Sequence, residues 1–135
     1  MYKNILVPII LDGVHDHGAS FAAAQAIASP EAAFTVLHVM EAIPTYARTE
    51  VPGNVLASKQ QEIAHDLTEA AKGLPGAKAQ LISGHSGQSI VNYAEANDID
   101  CIIIASHQPG LEDYFLGSTA SRVVRHASCS VHVIR

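Results

Sequence analysis

The feature that most constrains this chain is a regular alternation of two kinds of apolar segment. Five short runs, rich in β-branched residues, have the composition of strands: Ile5–Leu11, Phe34–Met40, Ala79–Ser83, Cys101–Ser106 and Val131–Ile134. Four longer stretches between them have apolar residues at helical spacing: Gly18–Ser29, Leu56–Leu74, Ser86–Asn97 and Ser118–Ala127. Runs such as CIIIAS are apolar on both faces, which is typical of strands covered by helices on both sides. The alternation predicts an α/β fold with parallel strands and right-handed crossovers.

The length and composition predict one globular domain over residues 1–135. With 48% hydrophobic and 16% charged residues, the chain has the composition of an ordinary globular protein. It contains no internal repeat and no low-complexity tract. One long connection, Glu41–Val55, has a length that is often functional in a compact domain.

Charge and hydropathy exclude several classes of partner. The formal net charge is −5 and no basic run is present, whereas nucleic-acid binders carry a basic face. No apolar stretch approaches the roughly 20 residues that span a bilayer. The start lacks the cleavage site of a secretory signal, and Cys101 and Cys129 form no CxxC pair. We therefore expect a cytoplasmic protein with reduced thiols and without nucleic-acid or membrane partners.

The ends of the first and fourth predicted strands are the expected ligand site. Ligands of open α/β sheets bind beyond the carboxyl ends of the strands, where the strand order reverses. The first strand leads into residues 8–12 and the fourth into residues 105–110. The segment GST at residues 117–119 then opens a predicted helix, whose free N–H groups and dipole attract anions. The same segment is also compatible with a plain capping turn.

Two segments of the chain carry a family resemblance. The segment ASHQPGLEDYFLGSTASRVVRHASCSVHVIR at residues 105–135, taken with ILVPI at residues 5–9, resembles the universal stress protein family. The likeness extends over the whole chain in element order and is densest over residues 101–135. It implies a Rossmann-like fold, an open five-stranded parallel sheet of order 3-2-1-4-5 with helices on both faces. It also implies ATP or another adenine nucleotide, with Mg²⁺, bound across the ends of the first and fourth strands.

The loop after the fourth strand departs from the family pattern. ATP-binding members carry G-x2-G-x9-G-[ST] at this place. The pair GS at residues 117–118 matches the end of that pattern, whereas Ala105 stands at the first glycine. The second glycine falls at Gln108, or at His107 with the alternative spacing. Gly110 is then the alternative source of flexibility in this loop.

The end of the first strand departs as well. Ile10 stands where the family has an aspartate near the ribose and adenine, and Asp12 lies two residues further on. The resemblance places Val39 or Met40 on the apolar wall of the adenine pocket and Gly84 close to the nucleotide. The predicted nucleotide-binding residues are therefore Pro8, Ile10, Asp12, Val39, Met40, Gly84, Ala105, Ser106, His107, Gln108, Gly110, Gly117, Ser118 and Thr119.

The motif content favours binding over catalysis. Neither a P-loop, GxxxxGK[ST], nor a GxGxxG after the first strand is present. No general base, nucleophile or metal cluster is evident, so we expect at most a weak ATPase or autophosphorylation activity. The leading hypothesis is a stress-response or signalling protein whose nucleotide occupancy changes its binding to an unidentified protein partner. The alternative is a dimeric interaction module of the same fold that has lost the nucleotide.

Several other polar residues have a structural interpretation. Ser86, within GHSG at residues 84–87, is expected to cap a helix rather than act as a nucleophile. The polar cluster at residues 12–17 is expected to be a solvated loop rather than a metal site. His38 is expected to be a packing or surface residue. Arg122 is left open between a phosphate contact and a solvated helix position.

The last predicted strand favours self-association. In the order 3-2-1-4-5 it lies at the edge of the sheet, and unpaired edges pair readily with another chain. Val131 and Val133 fall on one face of this strand and His132 on the other. Members of the family commonly dimerise through this strand, so we expect a homodimer with symmetric contacts there.

Overall fold

One parallel sheet organises the part of the chain that the structure describes. In a computed structural model that describes residues 1–11, 16–41, 53–106 and 116–135, the strands are β1 (Tyr2–Pro8), β2 (Ala28–Met40), β3 (Lys78–Ser83), β4 (Cys101–Ala105) and β5 (Ser130–Ile134). Their order is β3-β2-β1-β4-β5, and every neighbouring pair is parallel. The predicted fold class and strand order are confirmed.

Helices cover both faces of this sheet. They are α1 (Gly18–Ile27), α2 (Gly53–Ala71), α3 (Ser86–Ala96) and α4 (Ser118–His126). One apolar cluster joins α1 and α2 to Ile5 and Val7, and a second joins α3 and α4 to Leu6. These three consecutive residues of β1 have no exposed surface, which explains the unbroken apolar run in the sequence. None of the described helices combines the length and the apolar character needed to cross a bilayer.

The strands β1 and β2 begin earlier than their apolar residues predict. The Asp100 carboxylate accepts hydrogen bonds from the backbone N–H groups of Lys3 and Asn4, at 2.8 and 3.0 Å. Polar residues can therefore start β1, and the strand ends at Pro8 instead of continuing to Leu11. The helix α1 ends at Ile27 because Pro30 disfavours a helical conformation at the residue before it.

Both cysteines are free thiols packed against apolar surroundings. Cys101 is 1% exposed and Cys129 is partly buried. Burial raises the pKa of the Cys101 thiol to about 11, with smaller contributions from Cys129 and Asp100. Burial also raises the pKa of Cys129. Because the thiolate is the reactive form of cysteine, a raised pKa makes both thiols poor nucleophiles near neutral pH.

Candidate functional site

A cavity of about 370 Å³ lies at the carboxyl ends of β1, β2 and β4. Strands β1 and β4 are neighbours here because the strand order reverses between them. Five predicted site residues line the cavity: Pro8, Ile10, Val39, Ala105 and Thr119. Its apolar wall is completed by Ile9, Leu37, Ile90 and Ile104, and its polar wall by Asp16, His17, Ser20, His38, Glu41 and Ser86.

Four predicted site residues lie beside this cavity without lining it. Ser106 is 2% exposed; its N–H donates to the Ile134 carbonyl at 2.8 Å, and its carbonyl accepts from the Gly117 N–H at 2.6 Å. Gly84 donates its N–H to the Met40 carbonyl at 2.9 Å and has a φ of +139°, a conformation that favours glycine. These contacts join strand ends and helix starts around the site. Of the other predicted residues, Ser118 lies at the start of α4, and Asp12, His107, Gln108 and Gly110 lie outside the described residues.

The N-terminus of α4 lies at the site, where Thr119 lines the cavity. Gly117 precedes the helix in an extended conformation, and its carbonyl accepts the Ser121 N–H at 2.8 Å. The first N–H groups of a helix have no partner within it, and the first turn of α4 contains no acidic residue. Ser118 and Thr119 add hydroxyl groups at the same place. This helix start is therefore suited to an anion.

A second cavity, of about 500 Å³, lies between the starts of α3 and α4. Ser118 and Arg122 line it, and Glu41, Ser86 and Thr119 line both cavities. The two cavities are therefore adjacent parts of one cleft. The cleft continues from the apolar strand ends to the starts of two helices.

The hydroxyl of Ser86 links the two helices instead of capping α3. Ser86 Oγ lies 2.7 Å from Thr119 Oγ1, across 33 residues of sequence. The residue that precedes α3 is His85, and its side chain makes no capping hydrogen bond. The predicted N-cap role of Ser86 is therefore wrong. The reason is that the neighbouring helix offers its side chain a partner that local sequence does not reveal.

Arg122 lies on the wall of the second cavity. Its Nε and one terminal nitrogen donate to Gln88 Oε1, at 3.3 and 3.0 Å. The close approach of the two helices requires Gly87, since a Cβ there would lie 2.8 Å from the Arg122 Cβ. Arg122 is the only cationic side chain among the described residues that line either cavity, histidines aside.

The two acidic residues of the cleft, Asp16 and Glu41, lie on different elements. Asp16 Oδ1 accepts the Gly18 N–H at 2.8 Å and so supports the start of α1. Glu41 is exposed at the end of β2 and lines both cavities. Within the described ranges, no group of three His, Cys, Asp or Glu side chains is placed to hold a metal ion.

Sequence reasoning missed several residues of the cleft, of which His38 is the most informative. Its Nδ1 lies 3.0 Å from the Ile9 carbonyl oxygen, and the ring lines the first cavity. The expectation of a plain packing or surface residue is incomplete, because the ring is held at the wall of the cavity. Its position directly before Val39, near the end of a strand, is the one signal in the sequence that could have found it.

Comparison with known proteins identifies the class of fold and then the family. The sequence model of the universal stress protein family matches residues 1–135, and the chain belongs to that family. A universal stress protein of Methanothermobacter thermautotrophicus is 27% identical over 146 aligned positions, which cover 100% of this chain and 97% of the relative. The solved structure of UspA from Lactobacillus plantarum is 31% identical, with a TM-score of 0.72 over 99% of this chain and 98% of its own.

Three more distant structural neighbours were solved with nucleotides. A universal stress protein in complex with cAMP is 17% identical, with a TM-score of 0.72. Family structures from Archaeoglobus fulgidus with dAMP and from Arabidopsis thaliana with AMP are 16% and 14% identical, with TM-scores of 0.63 and 0.61. The alignments cover at least 98% of this chain and 90% of each neighbour. At these identities the likeness shows the shared fold.

Proposed function

We propose that this protein binds an adenine nucleotide in the cleft at the carboxyl ends of β1 and β4. The observation that carries the proposal is the form of the cleft. An apolar section at the strand ends is continuous with the N-terminus of α4. Family structures solved with cAMP, dAMP and AMP give independent support, since all three ligands are adenine nucleotides.

The apolar section suits a purine base. Pro8, Ile10 and Val39 come from the ends of two neighbouring strands, and Ile104 and Ala105 come from β4. Ile10 keeps 45% of its surface exposed, so its side chain is accessible to a ligand. A flat base placed over these side chains would bury them, as the apolar walls of small-molecule sites do.

The helix starts suit the phosphates. In this arrangement a phosphate accepts hydrogen bonds from the first N–H groups of α4 and from the hydroxyls of Ser118 and Thr119. Arg122 lies one helical turn beyond Ser118 on the same cavity wall, where its guanidinium is available to a longer phosphate chain. Recognition would then depend on backbone and hydroxyl donors, without a P-loop lysine.

The residues present are compatible with Mg²⁺ carried by the nucleotide. Mg²⁺ on phosphates usually keeps several waters and uses one or two protein carboxylates. Glu41 supplies one carboxylate beside both cavities. When bound, the ion would neutralise phosphate charge in a protein that is itself negative.

In this proposal the protein acts by binding the nucleotide and not by catalysing a reaction on it. The cleft offers donors for phosphates, whereas phosphoryl transfer also needs charge clamps and a positioned nucleophile. Among the described lining residues, Arg122 alone has the permanent positive charge of such a clamp. Nucleotide occupancy would act by changing the surface that the protein presents to a partner.

Calorimetric titration of the nucleotide-stripped protein tests the proposal. We expect saturable, one-site binding of AMP, and of ATP with Mg²⁺, because both share the base and the first phosphate. Circular dichroism on the same sample establishes that the protein is folded. Failure of the folded protein to bind either nucleotide would contradict the proposal.

Replacing Glu41 with glutamine is expected to tighten the binding of ATP in the absence of Mg²⁺. The carboxylate lies beside the proposed phosphate site, and removing a like charge at the protein surface is worth about 1 kcal/mol, or roughly fivefold in Kd. The matched control is Glu95→Gln, an exposed residue of α3 outside both cavities, which should leave Kd unchanged. Equal effects of the two variants would show that only the overall net charge matters.

A dimeric interaction module is the second candidate function. Among the described strands, β5 pairs only with β4, so its outer backbone edge is available for another chain. Val131 and Val133 are half-buried against the α3/α4 cluster, and Ser130 and His132 are exposed. A homodimer through this edge is compatible with either function. The interaction module becomes the leading candidate function if the protein does not bind nucleotides.

A further inference from the structure

We propose that a cavity at the amino-terminal end of the sheet binds a small hydroxy acid. This amino-end cavity, of about 250 Å³, lies where β1 and β3 begin, beside the carboxyl end of α3. Its polar lining comes from Asn4, Thr35, Lys78, Tyr93 and Asn97. None of the described residues that line it also lines the nucleotide cleft, which lies at the opposite end of the strands. A ligand here would be separate from the nucleotide, so the two sites can be tested independently.

The side chains of Thr35 and Lys78 point to the side of the sheet on which the amino-end cavity lies. Successive residues of a strand point to opposite faces. Val36 packs in the cluster with α1 and α2, whereas Leu37 packs in the α3/α4 cluster, so Thr35 points toward α3. Lys78 pairs with Thr35 in register and precedes Ile82, which packs against the α3/α4 cluster, by four residues. The ammonium and the hydroxyl therefore belong to neighbouring positions on one face.

Thr35 has a buried hydroxyl without a hydrogen-bond partner in the described part of the chain. The residue is only 6% exposed, and no described group donates to its side chain or accepts from it. The strand connections at this end of the sheet, residues 72–77 and 97–100, both lie within the described ranges. Because an unpaired buried hydroxyl costs free energy, such a group indicates a water or a ligand that completes it.

Lys78 and Tyr93 bring two more donors to the amino-end cavity. Lys78 is exposed, and its ammonium makes no ion pair or hydrogen bond with any described residue. Tyr93 packs against the α3/α4 cluster, and its hydroxyl likewise has no partner among the described residues. One ammonium and two hydroxyls form a donor set that a single carboxylate accepts.

The carboxyl end of α3 supplies acceptors on the other side of the cavity. Asn4 Nδ2 donates to the carbonyls of Asn97 and Asp98, at 2.9 and 3.1 Å. Asn97 Nδ2 donates to the Tyr93 carbonyl at 2.9 Å. The nitrogens of both amides are therefore engaged, and their oxygens remain as acceptors. The end of the helix adds partial negative charge, so this side of the cavity suits a hydrogen-bond donor.

These donors and acceptors together define the class of ligand. A volume of about 250 Å³ has room for about eight water-sized groups at roughly 30 Å³ each. The single ammonium and the negative end of α3 favour one negative charge over the two of inorganic phosphate. A neutral hydroxyl on the ligand suits the amide oxygens better than an ammonium would, because Lys78 already places a positive charge nearby. A small α-hydroxy acid meets all three conditions.

An NMR-monitored titration of the ¹⁵N-labelled protein with glycolate and with L-lactate tests the proposal. We expect saturable shifts of the Thr35 and Lys78 amide resonances, with Kd in the millimolar range because so small a ligand makes few contacts. Glycolamide and lactamide have the same shape without the charge and should bind at least about tenfold more weakly. A folded protein that binds neither acid would overturn the proposal, as would inorganic phosphate binding as tightly as glycolate.

Two variants locate the binding. Lys78→Gln should weaken L-lactate at least about tenfold, and Thr35→Val should weaken it about two- to tenfold. The matched control is Lys59→Gln, an exposed position of α2 outside the amino-end cavity, which should keep the wild-type Kd. Equal affinities of the wild type, Lys78→Gln and Thr35→Val would place the hydroxy acid elsewhere and overturn the proposal.

The stability of Thr35→Val tests the premise without any ligand. Valine keeps the shape of threonine and removes the unpaired hydroxyl, so the urea midpoint should stay unchanged or rise. A clearly lower midpoint would show that the hydroxyl has a partner within the protein, and that result would overturn the proposal. Titration of the same variant with AMP should give the wild-type Kd, because the nucleotide cleft lies at the other end of the strands. Failure of AMP to bind the wild type would contradict the proposed function alone.

Discussion

Replacing Gly117 with aspartate is expected to weaken the binding of ATP strongly while leaving α4 intact. Gly117 occupies the N-cap position of α4, where aspartate is among the preferred residues. Its φ of −59° suits any residue. The new carboxylate would accept hydrogen bonds from the N–H groups that the phosphate needs and would repel the phosphate charge. Two like charges at about 4 Å cost roughly 1–4 kcal/mol near a protein surface, or about fivefold to several hundredfold in Kd.

Gly117→Asn is the matched control for this charge. Asparagine has the same size and also caps helices, so it shares the close contact that a Cβ would make with the Ser106 carbonyl, at 3.2 Å. We expect Kd for ATP to be at least about tenfold weaker in the aspartate variant than in the asparagine variant. Equal affinities would place the phosphates elsewhere in the cleft. Calorimetric titration at two salt concentrations measures both variants, and added salt should narrow the difference.

Replacing Ile103 with alanine is expected to lower the free energy of unfolding by about 2–5 kcal/mol. Ile103 lies on β4 with no exposed surface, in the cluster that joins the sheet to α1 and α2. Removing its outer carbons loses apolar burial and leaves a cavity that the surrounding strands cannot close. Urea unfolding measures the change, which should appear as a lower midpoint at an unchanged m-value.

Val124→Ala is the surface counterpart of that experiment. Val124 is 45% exposed on α4, and alanine is the better helix former. We expect the free energy of unfolding to change by less than about 0.5 kcal/mol. If Ile103→Ala were as mild as Val124→Ala, β4 would not be a packed central element of the protein.

The class of fold and the order of the elements could be predicted because their signals are local. Consecutive apolar residues at Ile5 to Val7 require cover on both faces, and helical spacing between such runs supplies the covering elements. The strand order came from the family resemblance, and the parallel pairing followed from the alternation itself. Boundaries were less certain where polar residues begin a strand, as at Lys3 and Asn4, because their hydrogen-bond partner Asp100 is distant in sequence.

The candidate site was predictable in part. Pro8, Ile10, Val39, Ala105 and Thr119 line the first cavity, and all five lie at strand ends or at a helix start, where topology concentrates ligands. Ser106 and Gly117 were predicted for the same reason, and Gly84 from the family resemblance, but the backbone groups of all three form hydrogen bonds beside the cleft. Sequence position alone does not distinguish a residue that lines a cavity from one that supports its wall.

The sequence by itself determined that the chain alternates strands and helices and that GST at residues 117–119 opens a helix, because these properties depend on neighbours a few residues away. Only the tertiary structure decided which side chains meet in the cleft. Ser86 reaches Thr119 across 33 residues, and His38 reaches Ile9 across 29. Such contacts depend on strand order and register, which bring distant segments to the same edge of the sheet. For that reason the contact of His38 with Ile9 and the linked starts of α3 and α4 could be identified only from the folded chain.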